Sequence, residues 1–278
     1  VDFQIKALLH LAKKDPGLIV PRQIPTKSGA QTCILNDGGG RSHFVRLVSF
    51  VEGGPMSEYA HLDLDAIKEI GRIAGRLCAA LRDFSHPAAN HFMPWDSLNG
   101  LIFSDGLQEY LPDGFKELAE NHLQRLKAHS TPKLLAFPHQ IIHHDAHTGN
   151  VMCEAGTPTN VTGVIDFGDM IERPIIMDVA VSLSSLIAHN PDIIGTALAM
   201  LDGYEEYTTV PKEQLELLYD AIAGALIMSV QLLNYRAHHH ADDPEKIRQE
   251  DFSGTLANAK NFLTFNRDRF TDHILKRA

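Results

Sequence analysis

Asp145, Asn150 and Asp166 are the residues whose types and spacing suit chemistry. The stretch "IIHHDAHTGNVM" occupies residues 141–152, and "IDFGD" follows at 165–169. An aspartate at the end of a short apolar segment, with an asparagine five residues on, can present both side chains to one cleft. Asp145 can orient a hydroxyl or accept its proton, and Asn150 can hold a metal through its amide oxygen. Asp166, at the end of a second apolar segment, brings a charged oxygen ligand. Hard divalent cations such as Mg²⁺ favour one or two carboxylates together with phosphate oxygens and water. Gly168 gives the turn after Asp166 a backbone path that other residues resist. A base, metal ligands and room for phosphates are the parts that phosphoryl transfer needs.

Two other readings of the histidine-rich stretch are open at this point. Alone, "HHDAHTGN" also reads as a polar turn after a buried strand. His143 and His147 lie four residues apart, a spacing that zinc sites use on helices. Against zinc, Gly149 and the apolar flanks predict a strand followed by a loop, and the chain has neither HExxH nor a CxxC pair.

These residues need elements to position them. Residues 2–14 place Phe3, Ala7, Leu8 and Leu11 at helical spacing, and "DPG" at 15–17 stops the helix. Segments 30–36 and 43–52 read as strands joined by the glycine-rich turn "NDGGGRS". "EGG" at 52–54, before Pro55, is a candidate linker and divides the chain into residues 1–54 and 55–278. Beyond it helices dominate. Ile67, Ile70, Ile73, Ala74, Leu77, Leu81 and Phe84 form one stripe over 63–84, with Asp63 placed as the cap and Gly71 and Gly75 as a close-packing pair. A helix is predicted over 115–128 and a short strand over 133–137. Further helices are expected over 176–189, 192–207, 211–237 and 253–274.

The bulk properties narrow the function classes. The 278 residues are 44% hydrophobic and 22% charged, an ordinary globular balance. A net charge of −10 argues against a broad nucleic-acid footprint. Cys33, Cys78 and Cys153 form no patterned pair, which predicts reduced thiols and a cytoplasmic setting. No apolar run reaches about 18 residues, so no membrane partner is expected.

With "HHDAHTGN", "VIDFGD" and "IMDVA" (176–180) quoted, the chain resembles the aminoglycoside phosphotransferase and choline kinase family over residues 2 to about 190. That resemblance implies an α+β, protein-kinase-like two-lobe fold: a small N-terminal lobe seen here as a helix plus β-hairpin, and a predominantly helical C-terminal lobe. It implies Asp145 as catalytic base, His143 as a brace of its loop, and Asn150 and Asp166 as Mg²⁺ ligands. Asp178 would anchor the catalytic loop from below, and His144 stands where glycine is usual. The hinge "LVSFVEGG" would meet the purine of ATP or GTP through backbone groups of Ser49, Phe50 and Val51. Gln4 occupies the position of a glutamate that pairs with a nucleotide-binding lysine. The glycine-rich loop and lysine strand expected before that helix are not in the sequence, so the chain is expected to be either part of a longer protein or a degenerate kinase.

The segments "DFQIKALLHLA", "IGRIAGRLCAALRDFSHPA", "PWD" and "GVIDFGDM" resemble the hydroxylysine kinase branch, which also occurs fused to aminotransferase domains. The expected reaction is transfer of a γ-phosphoryl group to a hydroxyl of a small amine-bearing substrate. Hydroxylysine comes first, with homoserine, an aminoglycoside, choline or ethanolamine as alternatives. Asp169 and Glu172, just past the metal turn, are candidates to attract the ammonium, or to pair with Arg173. Trp95 is a candidate pocket wall, and Arg236 a candidate for a substrate carboxylate. The run "RAHHHADD" at 236–243 reads as a solvated helix end. A rival from another class is a pseudokinase that keeps the cleft as a binding module.

Overall fold

The computed structural model describes residues 1–239 and 252–277. Helix α1 (Asp2–Lys14) buries Phe3, Ile5, Ala7, Leu8 and Leu11. Helix α2 (Leu64–Leu81) begins where Asp63 accepts a hydrogen bond from the Ala66 amide, as expected of a cap. Arg76 on α2 grips both oxygens of Asp15, at 2.6 and 2.7 Å, and so fixes α1 to α2 at the point where α1 ends.

The strands are shorter than the sequence suggests, and they change the reading of the linker. β2 (Cys33–Asn36) and β3 (Ser42–Val45) form the expected hairpin, but the chain breaks after Val45. β4 (Leu47–Val48) pairs instead with β1 (Gln23–Ile24). Gly54–Pro55, expected as a linker, is strand β5. It pairs with Met152 and Cys153 of β7 (Val151–Glu154) and stitches the first part of the chain to the second. Gly53 reaches this pairing at φ 113, and a Cβ there would lie 2.5 Å from the Cys153 carbonyl. Backbone proximity therefore demands the glycine.

The remaining strands form two ladders. β6 (Gln140–Ile142) pairs with β9 (Ile171–Arg173), and β7 pairs with β8 (Thr157–Val164). The loop from β6 to β7 and the loop from β8 to β9 therefore run between the same two ladders. That topology brings "HHDAHTGN" and "IDFGD" side by side.

Helices make up the rest: α3 (Asp105–Gln108), α4 (Phe115–Arg125), α5 (Thr131–Ala136), α6 (Ile176–Leu186), α7 (Ile193–Tyr204), α8 (Lys212–Leu215), α9 (Leu218–His239), α10 (Phe252–Leu263) and α11 (Arg267–Lys276). The strand expected over 133–137 is helix α5. Pro132 suits a first helical turn, and the chain enters it directly from a π-turn (Leu126–Ser130) that continues α4. A short apolar run does not by itself distinguish strand from buried helix. The expected helix over 253–274 is two, because Asn266 caps the start of α11 by accepting from the Arg269 amide. Among the described residues no helix is long and apolar enough to cross a membrane.

Helices α2 and α7 pack with unusually close backbones. A Cβ on Gly71 would collide with the Met200 carbonyl, one on Gly75 with the Tyr204 carbonyl, and one on Gly203 with the Lys68 carbonyl. The glycines one turn apart in α2 thus set the interhelical distance, and the neighbouring groups are main chain that cannot turn aside. Gly75→Ala should lower the unfolding free energy by about 1–3 kcal/mol through overpacking. A urea titration compared with wild type measures this loss.

Candidate active site

Asp145 leaves β6 on a loop held by one face of α6. The buried Asp178 carboxylate accepts the His144 amide hydrogen at 2.9 Å. One turn later the Ser182 hydroxyl donates to the Ala146 carbonyl at 2.9 Å, and Ser185 Oγ lies 3.0 Å from Thr148 Oγ1. Positions 178, 182 and 185 are four and three apart, so they share one face of the helix. Asp178 was legible in the sequence; Ser182 and Ser185 were not singled out. Their spacing from Asp178 was the available signal.

The loop also ties itself together. Asn150 Nδ2 donates to Asp145 Oδ2 at 2.6 Å and to the Asp145 carbonyl at 3.0 Å. The Ile165 amide donates to the Asn150 carbonyl at 2.9 Å, which sets Asp166 beside this pair. His143 is fully buried and stands edge-on to Phe167, with ring centroids 4.8 Å apart. Its Nδ1 accepts the Asp145 amide hydrogen at 3.3 Å, which ties the ring to the loop. Burial holds its pKa down at about 4, so the ring is neutral. His147 folds back to accept the Gly149 amide hydrogen, and the described residues contain no His/Cys/Asp/Glu cluster of the kind that holds a metal ion.

Two residues adopt left-handed backbone: His144 at φ 62 and Asp166 at φ 60. Each stands just past the end of a strand, β6 and β8, where the chain enters one of the two loops. For His144 this conformation matches a position where glycine is usual. At Asp166, the Gly168 amide donates to Oδ1 at 3.0 Å and closes the turn. A Cβ on Gly168 would sit 2.9 Å from that oxygen and 4.0 Å from Gln4 Nε2, which places the α1 amide against the same turn.

The carboxylates crowd one another. The pKa of Asp145 is pushed up to about 8, chiefly by burial and then by the charges of Asp169 and Asp166. Asp169 is raised too, by burial and by Asp166. Two cavities flank this group. One of about 370 Å³ is lined by Ser49, Phe50, Val51, Met152, Ile165 and Asp166. The other, about 1020 Å³, has Trp95, His144, Asp145, His147 and Asp169 in its wall. Ser49 Oγ accepts the Arg22 amide hydrogen, and Phe50 and Val51 follow it in the wall of the smaller cavity, Phe50 exposed and Val51 buried. Among the described residues those two make no backbone hydrogen bond.

Glu172 does not join the site and lines neither cavity. In β9, Ile171 and Arg173 face inward, and strand alternation turns Glu172 the other way. Nor does Arg173 pair with Asp169 or Glu172. It binds the fully buried Asp96 through Nε at 2.8 Å and Nη2 at 2.7 Å, as a buried guanidinium requires. Arg236 lies 5.7 Å over the Trp95 ring. His239 meets the Tyr110 hydroxyl, and residues 240–243 of the histidine run lie outside the described residues.

Comparison with known proteins agrees with this geometry. Residues 1–216 match the phosphotransferase enzyme family. A hydroxylysine kinase of Mus musculus is 22% identical over 222 residues, covering 76% of this chain and 59% of that protein. A hydroxylysine kinase of Danio rerio is 19% identical, covering 88% of this chain and 71% of its own. Among solved structures, a microcompartment-associated aminopropanol kinase superposes with a TM-score of 0.69 at 17% identity, over 99% of this chain and 83% of the other. An amicoumacin kinase in complex with AMP-PNP, Ca²⁺ and its ligand superposes with a TM-score of 0.64 at 13% identity, over 97% and 76%. These likenesses show an α+β, protein-kinase-like fold. The chain spans less than two thirds of the mouse protein it matches.

Asp178 supplies a prediction with a definite sign. Burial raises its pKa to about 7, while the unfolded chain returns it to the ordinary aspartate range. The folded state therefore binds the proton more tightly, and the stability this gives is present at low pH and lost as pH rises from about 4 through about 7. Asp178→Asn mimics the protonated form. Its stability relative to wild type should rise with pH across that window, in denaturation curves taken between about pH 4.5 and 7.5.

Proposed function

The chain belongs to the phosphotransferase enzyme family, and we propose that it transfers the γ-phosphoryl group of ATP or GTP to a hydroxyl of a small amine-bearing acceptor, hydroxylysine first among them. The observation that carries this reading is the meeting of two cavities at one set of side chains. Asp166 lines the smaller cavity beside the hinge, Asp145 lines the larger, and Asn150 bridges the two loops. A phosphoryl group passing between nucleotide and acceptor must cross that point.

In this reading residues 1–54 form the nucleotide-facing part, and residues 55–278 carry the catalytic loops and acceptor cavity. The free backbone groups of Phe50 and Val51 would hold the purine. Asn150 and Asp166 fit a hard divalent cation: the asparagine's NH₂ is committed to Asp145, which leaves its amide oxygen, and Asp166 is exposed with one oxygen outside the turn. Mutual repulsion among Asp145, Asp166 and Asp169 is the arrangement that a cation relieves. Mg²⁺ bound there would neutralise charge on the phosphate oxygens.

Asp145 would accept a hydrogen bond from the acceptor hydroxyl, orient it in line, and take its proton as the new O–P bond forms. Once a cation and an ammonium offset the neighbouring negative charges, Asp145 would ionise and so be able to take that proton. Asn150 holds the Asp145 carboxylate in one rotamer, so the hydroxyl meets a fixed partner. Among the described residues that line the larger cavity there is no lysine or arginine, whereas Asp145 and Asp169 are both there. That charge balance supports an ammonium-bearing acceptor. The relatives named as hydroxylysine kinases, and an aminopropanol kinase among the structural neighbours, support the same class.

The test is a coupled nucleotide-consumption assay of the intact protein with hydroxylysine, homoserine, ethanolamine, choline and an aminoglycoside. Asp145→Asn should lower kcat by roughly 10²–10⁴-fold and leave nucleotide affinity within a few-fold of wild type. A variant that retained near-wild-type turnover would remove Asp145 from the reaction. Nucleotide binding without transfer to any acceptor would favour the binding-module reading instead.

A further inference from the structure

His144 is built at a cost that its surroundings do not explain. Its backbone is left-handed, at φ 62, an uncommon conformation for residues other than glycine. Its side chain is 1% exposed, yet among the described residues neither ring nitrogen has a hydrogen-bond partner. Buried polar atoms in native proteins are nearly always satisfied. Strain and unmet hydrogen bonding meet in one residue, and that residue lines the larger cavity directly beside Asp145. Such a coincidence is a marker of function.

What stands behind the ring fixes its chemistry. Asp96 Oδ1 faces His144 Nε2 at 3.9 Å, and the other Asp96 oxygen is held by Arg173. Asp96 Oδ1 also accepts the Leu98 amide hydrogen, so the carboxyl group is anchored with both of its oxygens acting as acceptors. A carboxylate facing Nε2 selects the tautomer with its proton on that nitrogen. The lone pair is then on Nδ1. Burial keeps the ring neutral, with a pKa held down at about 4.

We propose that His144 is a specificity-determining residue for the acceptor: its Nδ1 lone pair accepts a hydrogen bond from an N–H of the substrate's ammonium group, with Asp96 fixing the tautomer from behind. This rests on the reading of the larger cavity as the acceptor site. Asp169, on the same wall, supplies the charge that attracts the ammonium, while His144 requires that the ammonium carry a hydrogen. Primary amines satisfy that condition, and a quaternary ammonium such as choline does not.

The test compares wild type with His144→Gly and His144→Asn, using ethanolamine, hydroxylysine and choline as probes. Glycine takes φ 62 without strain and asparagine tolerates it, so both variants should keep the loop's backbone path; in His144→Gly the relief of strain is set against the cavity that a buried imidazole leaves. Calorimetric titration should show the dissociation constants of ethanolamine and hydroxylysine rising at least about tenfold in His144→Gly, the reach of one hydrogen bond to a charged group. Choline and nucleotide constants should stay within about twofold. The amide oxygen of His144→Asn should recover part of the loss. An unchanged ethanolamine constant, or an equal rise for choline, would overturn the assignment. So would a lower melting temperature with all constants shifted, since that is the signature of a structural role. Binding needs no turnover, so a wild type that binds amines but transfers no phosphoryl group would count against the proposed reaction alone. A wild type that bound neither amine would overturn the His144 assignment itself.

Discussion

The contact on which the site depends is the one between the buried Asp178 carboxylate and the His144 amide. It ties the catalytic loop to α6 at the residue just before Asp145, where the chain makes its left-handed turn. It acts together with the Asn150 amide, which holds the Asp145 carboxylate, and with His143, which accepts the Asp145 amide hydrogen. Ser182 and Ser185 continue the same helix face under Ala146 and Thr148, so the loop is laid along α6 for two turns. A helix is the right support because its hydrogen-bonded backbone does not yield, and three side chains on one face act as a single rigid jig. The close glycine-mediated contact of α2 with α7 belongs to the same logic on a larger scale. It holds the helical layer that backs α6 and the cavity wall.

The chemistry follows from charge placed against its own preference. Asp145, Asp166 and Asp169 share one cleft, and burial adds to their mutual repulsion, so Asp145 holds its proton far above the ordinary aspartate range. In isolation such a cluster is unfavourable. In the proposed reading its complements are a divalent cation held at Asp166 with the phosphates and an ammonium beside Asp169. A donor and an acceptor of those charges would each remove part of the repulsion, and would bring Asp145 towards the ionised form in which it can take a proton. In that reading binding and activation would be coupled through one electrostatic arrangement.

Much of this was legible in the sequence, because the residues that carry it are local. Asp145, Asn150 and Asp166 lie at the ends of short apolar runs, and the chain order of those runs is the order of the strands. The sequence marks His144 only as standing where glycine is usual; its left-handed backbone emerges from the structure. What depended on distant partners was not legible. Arg173 has carboxylates close by in sequence at Asp169 and Glu172, yet it pairs with Asp96, since strand alternation turns it inward to a loop nearly eighty residues away. The strand pairing of Gly54–Pro55 depends on β7, a hundred residues downstream, so the local text of "EGG" reads only as a break. Residues 133–137 were misread because a few apolar residues carry no period, and Pro132 together with the preceding turn decides for helix.

The most direct test of the central claim, that Asp166 is where nucleotide and cation meet, is thermal unfolding with a non-hydrolysable ATP or GTP analogue, with and without Mg²⁺, in wild type and Asp166→Ala. At a ligand concentration a hundred times the dissociation constant, binding should stabilise the protein by about 2.7 kcal/mol. That stabilisation should require Mg²⁺ and vanish in the variant. An equal shift in Asp166→Ala, or one indifferent to Mg²⁺, would contradict the account and place the nucleotide elsewhere.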